Sequence, residues 1–166
     1  MKLIVAVDSN WAIGNKGQLL VSIRADQLNF KRLTTGKTVV LGRKTLDTFP
    51  GGRPLRERRN IILTRDRSFH VPDAEVVHDI DELMGLIKNE DSADIFVIGG
   101  SSVYSQLLPY CDEAYVTRID YRYEADSYMP NLDADPEWEC VEESEEQTCY
   151  DMIYTFCRYK RINRGE

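Results

Sequence analysis

Residues 95–108, IFVIGGSSVYSQLL, carry more of the fold than any other stretch of this chain. A short run of branched and aromatic apolar residues is the pattern of a strand buried on both faces, Gly99-Gly100 ends it, and Ser101-Ser102 open a helix. A strand that runs straight into a helix is the repeating unit of an α/β fold with a largely parallel sheet. Moving outward, further apolar runs fall at residues 3–7, 38–41, 60–63, 75–77 and 114–119, with helical candidates at 24–33, 44–48, 80–88 and 101–108. After Trp138 the character changes. Residues 140–144 and 152–159 read as an antiparallel strand pair finishing one edge, with the acidic residues 142–146 as solvated turn at their connection. The expectation is an α/β fold with a mostly parallel central sheet, helices on both faces and an antiparallel C-terminal strand pair. No repeat or linker interrupts the chain, so residues 1–166 read as one domain.

With 42% hydrophobic and 30% charged residues, 10 Gly and 6 Pro in 166, disordered and fibrous classes are excluded. The apolar run 3–7 stops at Asp8, too short for a signal-peptide core or a membrane span, and a cytoplasmic protein is expected. Cys111, Cys140, Cys149 and Cys157 show no C-x-x-C spacing and read as buried thiols. The net charge of -7 argues against nucleic-acid and anionic-membrane partners. It hides an asymmetry: residues 1–65 hold 13 Lys/Arg against 4 Asp/Glu, and the remainder 8 against 24. Either the basic part serves a small anionic ligand, or the two parts complement each other in the fold.

Between the first strand and first helix, residues 8–22 form a connection long enough to be functional, and Trp11, Ile13, Leu19, Leu20 and Val21 give it apolar content that an idle loop would not need. It reads as an active-site lid. In the helix, Asp26, Phe30 and Leu33 share a face at i, i+4 and i+7. Burial there would raise the carboxyl pKa and create a proton-handling group; alternatively Asp26 only favours the positive end of a helix. Three strand ends suit phosphate: Gly99-Gly100-Ser101-Ser102, then Gly42-Arg43-Lys44-Thr45, then Thr64-Arg65. If Arg43, Lys44 and Arg65 converge, they fit a ribose phosphate, pointing to NADP(H) over NAD(H). Arg53, Arg56, Arg58 and Arg59 around Leu55 could clamp a carboxylate, or form a solvated basic loop. His70 and His78 have no metal-ligand spacing and read as surface residues; no metal is expected.

Taken in order, IVAVDSNWAIG, ADQLNFK, VVLGRKT, GGRPL with RRNIILTR, FVIGGSSVY, and YVTRID with ADSYMP resemble dihydrofolate reductases along nearly the whole chain. The resemblance implies hydride transfer from NADPH to C6 of 7,8-dihydrofolate with protonation at N5, giving tetrahydrofolate for one-carbon metabolism. It matches Asp26 to the carboxylate that anchors the pterin and promotes protonation, and Thr117 to the hydroxyl that supports it. Ile4, Val5, Phe30, Phe49, Leu55 and Ile98 match the apolar walls of the substrate site, and Arg58 the arginine that binds the glutamate tail. On the cofactor side it matches Ala6, Ile13 and Leu19 near the nicotinamide. Gly42, Arg43, Lys44, Thr45, Leu63, Thr64 and Arg65 match phosphate and adenosine positions, and Gly99, Gly100, Ser101, Ser102, Val103 and Tyr104 the second phosphate turn, with a cis Gly99-Gly100 bond. His78 aligns near the adenine, against its surface reading. Leu20-Val21 stand where many members carry Pro-Trp, Ala125 where a glycine is frequent, and Arg24 where a proline is. The resemblance further implies antifolate binding and a monomer. The competing readings are an NADPH-dependent reductase of another heterocycle, such as a pyrimidine of flavin synthesis, and a silent NADPH-binding protein.

Overall fold

A computed structural model describes residues 1–162. At its centre lies β1 (Lys2–Val7), hydrogen-bonded in parallel to β7 (Ile95–Gly99) on one side and β8 (Glu113–Ile119) on the other. Beyond β7 follow β4 (Thr38–Gly42), β5 (Arg59–Leu63) and β6 (Glu75–Val77), all parallel. Beyond β8 come β12 (Met152–Arg161) and, at the edge, β10 (Trp138–Glu143), both antiparallel to their neighbours. The short β11 (Gln147–Cys149) pairs with β12 and completes a nine-stranded sheet. The expected C-terminal pair is therefore present, though β12 is interior and the connection holds a strand of its own. Glu142 and Glu143 belong to β10, and Glu142 pairs with Arg158, so the acidic stretch is not all turn.

Strands bonded on both sides must be covered on both faces, and β1 shows how. Leu3, Val5 and Val7 face one cluster with Leu83 and Ile87 of α3 (Ile80–Ile87) and Val103, Tyr104 and Leu107 of α4 (Ser101–Leu107). Ile4, one residue out of phase, joins the other cluster, where Val39, Leu41 and Phe96 meet Leu46 of α2 (Arg43–Asp47) and Phe30 and Leu33 of α1 (Arg24–Thr34). Period-two alternation thus sends one strand into two cores. Among the described residues no helix is long and apolar enough to cross a membrane.

The segment between β1 and α1 is not plain loop. β2 (Ala12–Asn15) and β3 (Gln18–Leu19) form a hairpin, and β9 (Ser127–Tyr128) joins them in a second, three-stranded sheet. Gly14 is required there: a Cβ would stand 2.9 Å from the Gln18 carbonyl oxygen. Trp11 departs from the expected lid role, since it is buried in the core edge-on to Tyr159. Cys111 and Cys157 are buried as expected, but Cys140 is exposed and Cys149 half-buried, because β10 is an edge strand exposed from Glu139 to Glu143 and β11 pairs only with β12.

Asp8, just past β1, is buried and was not singled out by its sequence context. Its Oδ1 accepts the amides of Asn10 (2.8 Å) and Ala12 (2.9 Å), and its Oδ2 accepts that of Tyr123 (2.9 Å). One carboxylate thereby ties the start of the hairpin to residues 121–126. Asp8→Ala should cost about 1 to 3 kcal/mol, because three backbone donors, that of Ala12 fully buried, lose their acceptor. Chemical denaturation measures the loss, and amide exchange at Tyr123 should quicken at the same time.

Candidate active site

The register of the parallel strands decides where chemistry can occur. Leu41 lies opposite Gly99, and Gly42 opposite Leu63, so the three phosphate-friendly strand ends stand side by side. They open into one cleft of about 1560 Å³ along the carboxyl ends of the sheet, the place where ligands bind open α/β sheets. Single small-molecule pockets span roughly 300 to 1,000 Å³, so this cleft has room for two ligands at once.

At one end stands Asp26, in the first turn of α1. It begins a helix and also shares a cleft wall with Phe30. Ala6 of β1 lies opposite Thr117 of β8, and the Thr117 hydroxyl donates to Asp26 Oδ1 at 2.5 Å. Oδ2 has no protein partner among the described residues. Burial pushes the Asp26 carboxyl pKa up, and the Thr117 hydrogen bond works against that by favouring the anion. Ile4, Val5, Phe30, Phe49, Leu55 and Ile98 line the same cleft, giving the carboxylate apolar surroundings.

Of the four arginines near Leu55, the fold orients one. The Arg58 guanidinium donates from Nε to Thr34 Oγ1 (3.1 Å) and from Nη1 to the Arg56 carbonyl (2.9 Å), and lies 5.9 Å from the Phe30 ring centre. Its Nη2 is without a protein acceptor among the described residues. Burial lowers its pKa from the ordinary arginine value, which still leaves it charged. Arg59 is committed elsewhere, paired with Glu75 and Glu90, while Arg53 and Arg56 point to solvent.

The other end is cationic. Gly42, Arg43, Lys44, Thr45, Leu63, Thr64 and Arg65 line it, with Gly99, Gly100, Ser101, Ser102, Val103 and Tyr104 adjoining. Neither Gly42 before α2 nor Gly100 before α4 offers a side chain to cap the helix, which leaves first-turn amides available to a ligand. The Gly99-Gly100 bond is cis, and Gly99 adopts φ 130°, a conformation that suits glycine. A Cβ on Gly100 would come 3.2 Å from Thr45 Oγ1, so both glycines bring bare backbone close to α2. The Tyr104 hydroxyl donates to the Ile4 carbonyl at 2.7 Å, pinning the two ends together.

Ala6, Ile13 and Leu19 also line the cleft, Leu19 being 73% exposed on the hairpin. His78 corrects its surface reading: it is half-buried in the cleft wall, Nδ1 2.9 Å from the Thr64 carbonyl oxygen, whereas His70 is exposed. Among the residues anticipated for the site, Arg58 and Thr117 do not line the cleft; Arg58 stands at its margin and Thr117 behind Asp26. Thr117 is a positioning residue in that geometry. Gln27, Ile23, Gln106 and Asp126 line it without having been anticipated. Asp126 Oδ2 accepts the Lys16 amide at 3.0 Å, and the Asp126 amide donates to the Gly14 carbonyl at 3.1 Å, which clips the hairpin to β9. Only the pairing of distant segments gives Asp126 that task, so its local sequence carries no signal. Among the described residues no cluster of three or more His, Cys, Asp or Glu is placed to hold a metal ion.

Comparison with known proteins agrees along the whole chain. A family model described as dihydrofolate reductase matches residues 1–161. A dihydrofolate reductase of Staphylococcus haemolyticus is 38% identical over 166 residues, covering 98% of this chain and 96% of that protein. One from Bacillus subtilis (strain 168) is 31% identical over 170 residues, covering 100% and 97%. Among solved structures, a dihydrofolate reductase from Enterococcus faecalis complexed with NADP(H) and RAB-propyl superposes with a TM-score of 0.83 at 30% identity, covering 98% of this chain and 96% of that one. The order of motifs, the strand register and these relatives agree: the chain belongs to the dihydrofolate reductase family.

Proposed function

We propose that this protein reduces 7,8-dihydrofolate to 5,6,7,8-tetrahydrofolate with NADPH, and that Asp26 is its proton-handling residue. The observation that carries the reading is Asp26 itself: a carboxylate of raised pKa, one oxygen held by Thr117 and the other open to a cleft with apolar walls. The cationic end fits the cofactor's phosphates. Arg43, Lys44, Thr64 and Arg65 suit a ribose phosphate, and the uncapped amides after Gly42 and Gly100, beside backbone that a Cβ would obstruct, suit a pyrophosphate. When bound, the reduced nicotinamide supplies the hydride to C6.

The chain's own residues do the rest. The Asp26 carboxylate accepts from the pterin's amino group and N3, which orients the ring, and its charge favours a proton at N5, delivered through water or the pterin's enol form. Thr117 keeps the carboxylate in one rotamer and moderates its pKa. Phe30, Phe49 and Leu55 exclude water from the benzoyl portion, and Arg58 takes the tail carboxylate with its unused Nη2. Leu20-Val21, where many members have Pro-Trp, contribute no indole donor here. A reductase of another heterocycle would have no use for Asp26, Phe30 and Arg58 together. The reading includes one domain acting as a monomer in the cytoplasm, with antifolates competing for the same cleft.

Asp26→Asn keeps the shape and removes the charge. Single-turnover hydride transfer should slow by about 10²- to 10⁴-fold while NADPH still binds, and activity should recover only at acid pH, where solvent protonates the pterin unaided. An unchanged rate and pH profile would reduce Asp26 to a helix-start residue. The same substitution predicts a stability change. Because the folded-state pKa lies above the ordinary value of 3.8, the folded protein binds this proton more tightly than the unfolded chain, and stability falls as pH rises through that window. Asp26→Asn should therefore raise Tm at neutral pH, and the gain should shrink as the pH is lowered toward 3.8, as thermal melts across pH will test. Arg58→Ala should raise KM for dihydrofolate about tenfold to a hundredfold, the worth of a charged hydrogen bond, with little change in kcat. A tail-less pterin should be indifferent to it; equal losses for both substrates would contradict the role.

A further inference from the structure

The cation cluster at the cofactor end contains a carboxylate. Asp66 Oδ2 accepts from Arg43 Nη1 at 2.9 Å, and Arg43 lies with its guanidinium 4.5 Å from the Phe69 ring centre. The other oxygen, Oδ1, accepts the Ser68 amide at 3.0 Å and the Ser68 hydroxyl at 2.6 Å. The Asp66 amide donates to Thr64 Oγ1 at 3.2 Å, so the turn is tied to the same threonine that lines the cleft. Ser68 thus fixes the carboxylate whether or not Arg43 stays. The Ser68 hydroxyl and then its amide hold the Asp66 carboxyl below the usual carboxylate range, with a smaller contribution from Arg43, so it is charged at any working pH.

We propose that Asp66 is a specificity-determining residue that opposes the ribose 2′-phosphate of the cofactor, setting a fixed negative charge beside the phosphate's seat and competing with it for Arg43. The inference rests on the reading of Arg43, Lys44 and Arg65 as the phosphate contacts. The side chains of Arg43 and Asp66 are 47% and 43% exposed, and a pair so exposed is weak, so Arg43 turns readily to a dianion. Asp66 stays behind, anchored by Ser68, within the Debye length of about 8 to 10 Å over which charges act at ordinary salt. Asp79 and Asp81 line the same end of the cleft, but among the described residues neither forms an ion pair with Arg43, Lys44 or Arg65. Asp66 does not itself line the cleft; it bears on the seat through its ion pair with Arg43.

Calorimetric titration of the full chain with NADP⁺, NAD⁺ and 2′,5′-ADP tests the inference. Asp66→Asn, which keeps an acceptor for Ser68, should tighten NADP⁺ and 2′,5′-ADP about threefold to tenfold, leave NAD⁺ unchanged, and lose this gain at high salt. Ser68→Ala, which lets the carboxylate swing away, should give a smaller gain in the same direction and decides the matter if Asp66→Asn folds poorly. Arg43→Ala separates the two levels of the argument. If the unmutated protein binds NADP⁺ and NAD⁺ alike, or Arg43→Ala leaves NADP⁺ affinity unchanged, the phosphate seat itself is misplaced. If Arg43→Ala weakens NADP⁺ but Asp66→Asn leaves it unchanged or weaker, the seat stands and the inference is overturned: Asp66 then holds Arg43 in position for the phosphate instead of opposing it.

Discussion

β1 is hydrogen-bonded to a parallel strand on each side, and that constraint shapes the rest of the molecule. Parallel strands are joined by crossovers that pack on the sheet, so both faces of β1 are covered and both must be apolar. Leu3, Val5 and Val7 meet one core and Ile4 the other, which leaves no position along the strand for polar chemistry. The same holds for β7, and in β4 and β5 the polar residues Thr38, Arg59 and Asn60 stand only at the strand starts, away from the cleft. Reactive and charged groups are therefore confined to the strand ends and to what leans over them. Asp8 illustrates this at the first such end, where its carboxylate serves three backbone amides and organises the neighbouring hairpin instead of meeting a ligand.

At Asp26 two opposed effects set the working state. Loss of water raises the carboxyl pKa, and the Thr117 hydroxyl lowers it by bonding the anion. A carboxylate left fully hydrated would have no cause to hold a proton above the ordinary range. One buried without a hydrogen bond would be neutral over a wider pH range. The balance depends on β8 lying directly beside β1, since Thr117 stands opposite Ala6 and reaches Asp26 from beneath the cleft. The position and the protonation of this carboxylate thus share one origin in strand order.

Charge is distributed by the same architecture. The basic first part and acidic remainder do complement each other: Lys2 pairs with Glu113, Lys37 with Asp94, Arg43 with Asp66, and Arg59 with Glu75 and Glu90. That complementation is incomplete. Lys44 and Arg65 line the cleft without an ion-pair partner among the described residues, and Arg58 is held by neutral acceptors. In a chain of net charge -7, Lys44 and Arg65 thus leave positive charge in the cleft wall that no ion pair among the described residues neutralises. Arg43 belongs to both sets: it lines the cleft and pairs with Asp66.

Much of the fold was legible in short-range pattern. The stretch 95–108 announced a strand, a glycine break and a helix, and the structure places β7 and α4 there, because burial on two faces leaves an unmistakable apolar run. The phosphate-friendly ends after β4, β5 and β7 were visible for the same reason, as was the carboxylate on the apolar face of α1. What local pattern does not encode is partnership. Thr117 lies 91 residues from Asp26, and only the pairing of β8 with β1 makes it a hydrogen-bond donor to that carboxylate. Four arginines around Leu55 look alike in sequence; Thr34 at the end of α1 orients Arg58, while Glu75 and Glu90 take Arg59. Trp11 carried the apolar signal of a lid residue, yet Tyr159 in β12 receives it in the core. Periodicity along a chain reports whether a side chain is buried, but its contact is set by strand order and register, which bring distant segments within hydrogen-bonding distance only after the chain has folded.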